Sequence, residues 1–131
     1  VLSTVDRHGQ PYGVPLNYVY MNDCLYFHCA LVGHKLENIG DNERVSFTVV
    51  GRTEVLPQEF STGFESVVAF GRATLVEGDE WHRALMGLVG KYSPGFVEEG
   101  REYIKKYEKQ TAVVRMTVES VTGKAQITGN M

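Results

Sequence analysis

Residues 25–39, LYFHCALVGHKLENI, hold the side chains in this chain best placed to do chemistry. An apolar strand-like run carrying His28 and Cys29 passes through a loop with Gly33 into His34-Lys35, and Leu36 and Ile39 follow at helical spacing. The chain thus leaves a strand, turns on a glycine and sets two potential cations at a helix start. Free backbone N–H groups and the positive end of the helix dipole favour an anion there, and a phosphate is the expected guest. The same order also occurs at ordinary strand-to-helix junctions, with His34 and Lys35 as solvated polar residues, so the spacing alone does not assign it.

Other chemistries lack their patterns. The four histidines, His8, His28, His34 and His82, and the cysteines Cys24 and Cys29 form no HxxxH, HExxH or CxxC spacing, so no metal site is expected. No serine sits in GxSxG, and neither cysteine carries the flanking residues of a catalytic thiol. Most acidic residues fall in turns and on helix faces (Glu77, Asp79, Glu80, Glu98, Glu99), where solvation is their ordinary role. Alternation places His28 beside Tyr26 and Ala30 on one strand face leading to the cradle. It reads equally as a satisfied core histidine and as a ligand contact. If the protein is an enzyme, a bound cofactor must supply the reactivity.

The elements that position these residues are mainly strands. Residues 1–5 alternate weakly, and the polar group 6–11, with Gly9 and Pro11, reads as hairpin punctuation. Strands over 12–20 and 25–30, joined by a turn at 21–24, complete an expected three-stranded meander. Pro15 cannot donate a ladder hydrogen bond, so the second strand is at an edge, bulged or open to a ligand near Leu16, Asn17 and Tyr18. A strand over 44–50 follows the short helix, residues 52–63 look like a surface excursion, and 64–76 form a long strand with a bulge expected at Gly71. A helix capped by Asp79 runs to about Tyr92, and a second begins at Ser93-Pro94 and extends to about Tyr107. A strand over 111–119 and a short strand or tail after a turn at Gly123 end the chain. Six or seven antiparallel strands with helices outside favour a small β-barrel in one domain spanning 1–131. No GxGxxG follows a strand, which argues against a dinucleotide-binding doubly wound fold.

Composition narrows the partners. With 131 residues, 43% hydrophobic and 22% charged, the chain can build one core, to which a partner subunit could add burial. A net charge of -3 argues against nucleic acid, so any phosphate bound is expected to belong to a small molecule. No run reaches membrane-span length and no signal-like segment is seen, so a cytoplasmic location is expected. Cys24 and Cys29 should point to opposite faces of one strand, as free thiols.

Three segments in this order resemble a known family. They are Gly9-x-Pro11-x-x-x-Pro15-Leu16-Asn17-Tyr18, then Leu25-Tyr26-Phe27-His28-x-Ala30-x-x-Gly33-His34-Lys35-Leu36, then Ser66-Val67-Val68-x-x-Gly71-Arg72-Ala73. Together they resemble the FMN-binding split β-barrel proteins related to pyridoxamine 5'-phosphate oxidase, and within them the nitroimidazole-resistance reductases. The resemblance implies a homodimer with FMN at its interface. His34 and Lys35 would hold the phosphate with the Gly33 amides, and Pro15, Leu16, Asn17, Tyr18, Phe27 and His28 would flank the ring, with Ser66 contributing from the long strand. The oxidase proper more often has Arg where His34 stands, which implies a weaker or pH-dependent phosphate grip. It also carries a basic C-terminal extension for its substrate, which residues 123–131 do not resemble, so oxidation of pyridoxamine phosphate is not expected.

The resulting expectation is a flavin-dependent oxidoreductase that takes hydride from NADH or NADPH and reduces a small aromatic acceptor such as a nitroaromatic, with His28 facing the ring or acceptor. A non-catalytic flavin- or haem-binding module for storage or sensing is the alternative. An empty barrel that only dimerises is a third reading.

Overall fold

The computed structural model describes residues 1–129 and 131. Its seven strands are β1 (Leu2–Val5), β2 (Pro11–Val14), β3 (Val19–Met21), β4 (Cys24–Ala30), β5 (Arg44–Leu56), β6 (Ser61–Val76) and β7 (Thr111–Gln126). The helices are α1 (His34–Asp41), α2 (Gly78–Tyr92) and α3 (Val97–Lys106). All strands pair antiparallel in one sheet of order β2-β1-β5-β6-β7-β4-β3.

The meander expected over residues 1–30 does not form. The strand foreseen over 12–20 is two strands, and these are the two opposite edges of the sheet. The break falls at residues 15–18, which have no strand pairing, as the missing N–H of Pro15 requires. A link of that length spans at most about 17 Å, so the sheet must curl until its edges nearly meet. This closes the barrel.

Alternation fills the inside. Leu2, Phe27, Phe47, Val114 and Met116 are fully buried together, and Leu25, Val45, Ala69 and Ala73 complete the cluster. The next residues along β4 and β7 face outward, where Tyr26 and Val113 meet Ala84, Leu85 and Leu88 of α2. Helix α1 is fixed by Asn38, whose Nδ2 donates to Thr4 Oγ1 at 3.0 Å inside the core, and by Ile39.

A polar clamp reinforces the α2 contact. Tyr26 OH donates to Glu80 Oε2 at 2.6 Å, and Arg115 Nη1 donates to both Glu80 oxygens at 2.9 Å. Burial, then the bond to Glu80, push the Tyr26 phenol from 10.0 up to about 12. The folded chain therefore holds this proton after the unfolded chain has lost it, and stability should fall as pH rises from 10.0 to about 12. Tyr26→Phe is expected to lose about 1–2 kcal/mol at neutral pH and to flatten that alkaline decline. Urea melts of both proteins across the range would check it; an unchanged decline in Tyr26→Phe would assign it to other groups.

The surface excursion foreseen over 52–63 is instead the tip of a long hairpin. Strand β5 continues to Leu56 across an irregularity between Val50 and Thr53, turns through Pro57–Glu59, and returns as β6. Gly123 makes no turn either: it pairs with Val67 inside β7, which runs unbroken to Gln126. The expected bulge is present, the register shifting between Phe70 and Gly71. Asp79 lies in the first turn of α2 rather than capping it by a side-chain bond. The second helix starts at Val97, after a separate turn at Pro94–Phe96. Among the described residues no helix is long and apolar enough to cross a membrane.

Candidate functional site

A cavity of about 680 Å³ opens where the end of β4, the crossing segment and the start of α1 face the two long helices. Val14, Pro15, Leu16, His28, Cys29, Ala30 and Lys35 line one side. Leu85, Leu88 and Val89 of α2, with Phe96, Glu99, Gly100, Tyr103, Ile104 and Tyr107 on and around α3, line the other. Ser93, Gln110 and Thr111 complete it.

The crossing segment is held from α2. Tyr18 N–H donates to Tyr92 Oη at 3.1 Å, the Tyr92 hydroxyl donates back to the Tyr18 carbonyl at 3.0 Å, and Lys91 Nζ donates to that carbonyl at 2.8 Å. The Lys91 ammonium also lies 3.5 Å from the centre of the Tyr18 ring, a cation–π contact. Backbone groups released by the break at Pro15 are therefore partly taken up by the last turn of α2. The N–H of Leu16, on the cavity wall, has no acceptor among the described residues.

Lys35 is the lysine or arginine on the cavity wall, and it makes no hydrogen bond or ion pair among the described residues. It stands in the first turn of α1, where N–H groups have no intrahelical partner. His28 lies on the face of β4 toward the helices, opposite Val113 in the ladder. Burial, then the charge of Lys35, push its imidazole below the ordinary 6.5, so His28 is neutral at pH 7. Burial pushes the Cys29 thiol up, so it is not a thiolate at that pH.

The residues singled out from sequence separate into those the structure gathers and those it does not. Pro15, Leu16, His28 and Lys35 share the cavity wall. Gly33 precedes α1 with φ 157°, and Asn17 lies in the crossing segment beside Leu16. Tyr18 packs its ring on Phe47 and under Lys91 rather than into the cavity. His34 turns the other way from Lys35 and stacks on Tyr12, ring centres 4.0 Å apart. Phe27 is fully buried in the barrel, so its side chain faces the core and not the cavity. Ser66 sits on the outer hairpin, donating to the Lys124 carbonyl at 3.3 Å, and does not line the cavity.

The helical wall was missed. Leu85, Leu88 and Val89 recur at helical spacing, which alone reads as a core face. The usable signal was the aromatic pair Phe96 and Tyr103, which the structure sets in the turn before α3 and on α3 and leaves mostly exposed.

A family model described as pyridoxamine 5'-phosphate oxidase matches residues 1–125, and the chain belongs to that family. Its seven-stranded antiparallel sheet is the split barrel of these proteins. No curated protein matches at a significant level. Among solved structures, the chain is similar to a candidate 5-nitroimidazole antibiotic resistance protein from Bacteroides thetaiotaomicron VPI-5482, with 26% identity and a TM-score of 0.71 over 93% of this chain and 73% of that one. It is similar to an FAD-binding protein from Mesorhizobium loti, with 27% identity and a TM-score of 0.60 over 93% of this chain and 79% of that one. An FAD and haem binding protein from Mycobacterium smegmatis shares the fold, at 20% identity and a TM-score of 0.82 over 97% of this chain and 64% of that one.

Proposed function

We propose that this protein is a cytoplasmic homodimer that binds FMN and works as a flavin-dependent oxidoreductase on small nitroaromatic acceptors of the 5-nitroimidazole kind. The observation that carries the reading is the unpaired Lys35 ammonium on the wall of a largely apolar cavity of about 680 Å³. An unpaired cation in such surroundings calls for an anion, and the apolar walls suit a flat aromatic ring beside it.

The residues present fit FMN. Lys35 and the first-turn amides of α1 would hold the phosphate, Val14, Pro15 and Leu16 would line the ring, and the free Leu16 N–H would donate to a ring acceptor. FMN, once bound, supplies hydride acceptance from NADH or NADPH and electron delivery to the acceptor. The chain's own part is to exclude water, orient both partners and offer the neutral His28 imidazole as a hydrogen-bonding group at the cavity wall. Dimerisation is supported by the outer hairpin. Val67 and Val121 lie exposed on the sheet face that continues Phe47 and Ala69 out of the barrel, an apolar surface that a second copy would cover.

The test is to load purified protein with FMN, desalt it, and follow reduction by NADH or NADPH and reoxidation by a nitroimidazole. His28→Ala is expected to keep FMN and lose up to about tenfold in turnover, the scale of one hydrogen bond. Full turnover in that variant would remove His28 from the role. In the native protein the contribution of neutral His28 should persist below pH 6.5, because its proton affinity is depressed.

His28 also favours a second reading, a haem- or flavin-binding module without turnover, since a neutral imidazole in an apolar cavity is a competent iron ligand. Uptake of haem with a His28-dependent Soret band, together with flavin that no nicotinamide reduces, would select it.

A further inference from the structure

The α3 wall of the cavity combines exposed aromatic rings with a free carboxylate. Phe96, Glu99, Tyr103 and Tyr107 recur at helical intervals through α3 and its flanking turns, and all four line the cavity. That face is held from behind: a β-carbon on Gly100 would lie 2.7 Å from Cγ1 of Val89, so α3 packs on α2 more closely than a larger residue would allow. Phe96 and Tyr103 nevertheless stay 65% and 66% exposed. Rings fixed at a cavity wall and left uncovered offer a surface to a flat ligand.

Charge narrows the ligand. Glu98 is taken up by Arg101, whose Nε lies 3.4 Å from Oε1, whereas Glu99 has no hydrogen bond or ion pair among the described residues. Lys106 Nζ lies 5.3 Å from the centre of the Tyr107 ring, which leaves the Phe96 and Tyr103 rings without a cation among the described residues. Within the lining, Glu99 faces Lys35 from the opposite wall, and the other lining residues carry neither a carboxylate nor an ammonium. A phosphate monoester carries about two negative charges at neutral pH, so FMN held by Lys35 leaves the cavity with surplus negative charge, to which Glu99 adds. A carboxylate beside electron-rich ring faces favours a cation and repels an anion.

We propose that the α3 wall binds the electron acceptor and selects it by charge. The acceptor class is an aromatic molecule carrying a protonated amine, its ring against Phe96 and Tyr103 and its ammonium at Glu99. This rests on the FMN oxidoreductase reading above and narrows its acceptor from nitroaromatics in general to cationic ones.

Three matched probes test it: 4-nitrobenzylamine, which is an ammonium at neutral pH, the uncharged 4-nitrobenzyl alcohol, and the anion 4-nitrobenzoate. Their binding to FMN-loaded protein is read from the flavin absorbance, and their KM from turnover with NADH or NADPH. The native protein is expected to bind the ammonium compound about tenfold more tightly than the alcohol, the scale of one exposed ion pair with one cation–π contact, and the carboxylate most weakly. Glu99→Gln should lose about threefold or more of that preference, while Glu98→Gln, one residue away, keeps all of it. Added salt should shrink the preference as well. FMN-loaded protein that binds the alcohol as tightly as the ammonium compound, or that keeps its full preference in Glu99→Gln, would overturn this proposal alone. Protein that retains no FMN, or whose FMN no nicotinamide reduces, would overturn the underlying reading and this one with it.

Discussion

Lys35→Ala is expected to bind FMN about ten- to a hundredfold more weakly than the native protein, the loss of one charge-assisted phosphate contact. The substitution removes no contact that the fold uses, since Lys35 has no hydrogen-bond or ion-pair partner among the described residues. Its thermal melt should therefore overlay the native one, and the weaker binding cannot be put down to unfolding. Riboflavin, which has the same ring without the phosphate, separates the causes further. It should bind native and Lys35→Ala protein equally, whereas an equal loss for both flavins would place Lys35 at the ring and refute the phosphate assignment.

The same variant has a consequence at His28. Lys35 is the second cause, after burial, of the depressed imidazole. With the ammonium gone, the His28 titration followed by NMR should move up toward 6.5 without reaching it, because burial remains. The direction matters for stability. Where the folded pKa lies below the unfolded one, the unfolded chain binds the proton first, so this histidine's contribution is present above 6.5 and declines as pH falls. Lys35→Ala should reduce that acid-side decline.

Local features were legible where one residue type dictates the backbone. Pro15 announced the interrupted ladder, Gly71 the bulge, and the run into Gly33 and Lys35 the strand-to-helix corner. Non-local pairing was not legible. Nothing in residues 12–20 says that the two halves of that stretch go to opposite edges of the sheet, because edge assignment depends on β5, β6 and β7, which come later in the chain. Residues 52–56 looked polar enough for a loop, but their ladder partners in β6 complete a hairpin. His34 and Lys35 point apart for a reason available beforehand: successive residues on a helix do not face the same way. Lys35 lines the cavity and His34 stacks on Tyr12. The α3 side of the cavity was hidden because an amphipathic helix is usually read as covering its own core, yet no residue of α3 is buried.

Gly71→Ala should do the greatest damage to the fold of any glycine-to-alanine change in this chain. A β-carbon there would lie 1.8 Å from the Thr117 carbonyl oxygen and 2.9 Å from its carbon. Both are backbone atoms of β7, so no rotamer change relieves the clash; the two strands must separate at the bulge. Adjacent to it, Arg72 joins Glu43 and Glu119, and Ala73 N–H donates to the Glu43 carbonyl at 2.8 Å, so the disturbance reaches the end of α1 as well as the sheet. Overpacking of this kind costs about 3 kcal/mol or more, a large share of the roughly 5–15 kcal/mol that holds a domain together. A bulge bends the strand that carries it, so whatever folded fraction remains should form the proposed homodimer poorly. Chemical denaturation combined with sedimentation would measure both effects. A Gly71→Ala protein with an unchanged denaturation midpoint and an intact dimer would show that β6 and β7 can be held further apart at this point, and that the bulge is not what aims the hairpin.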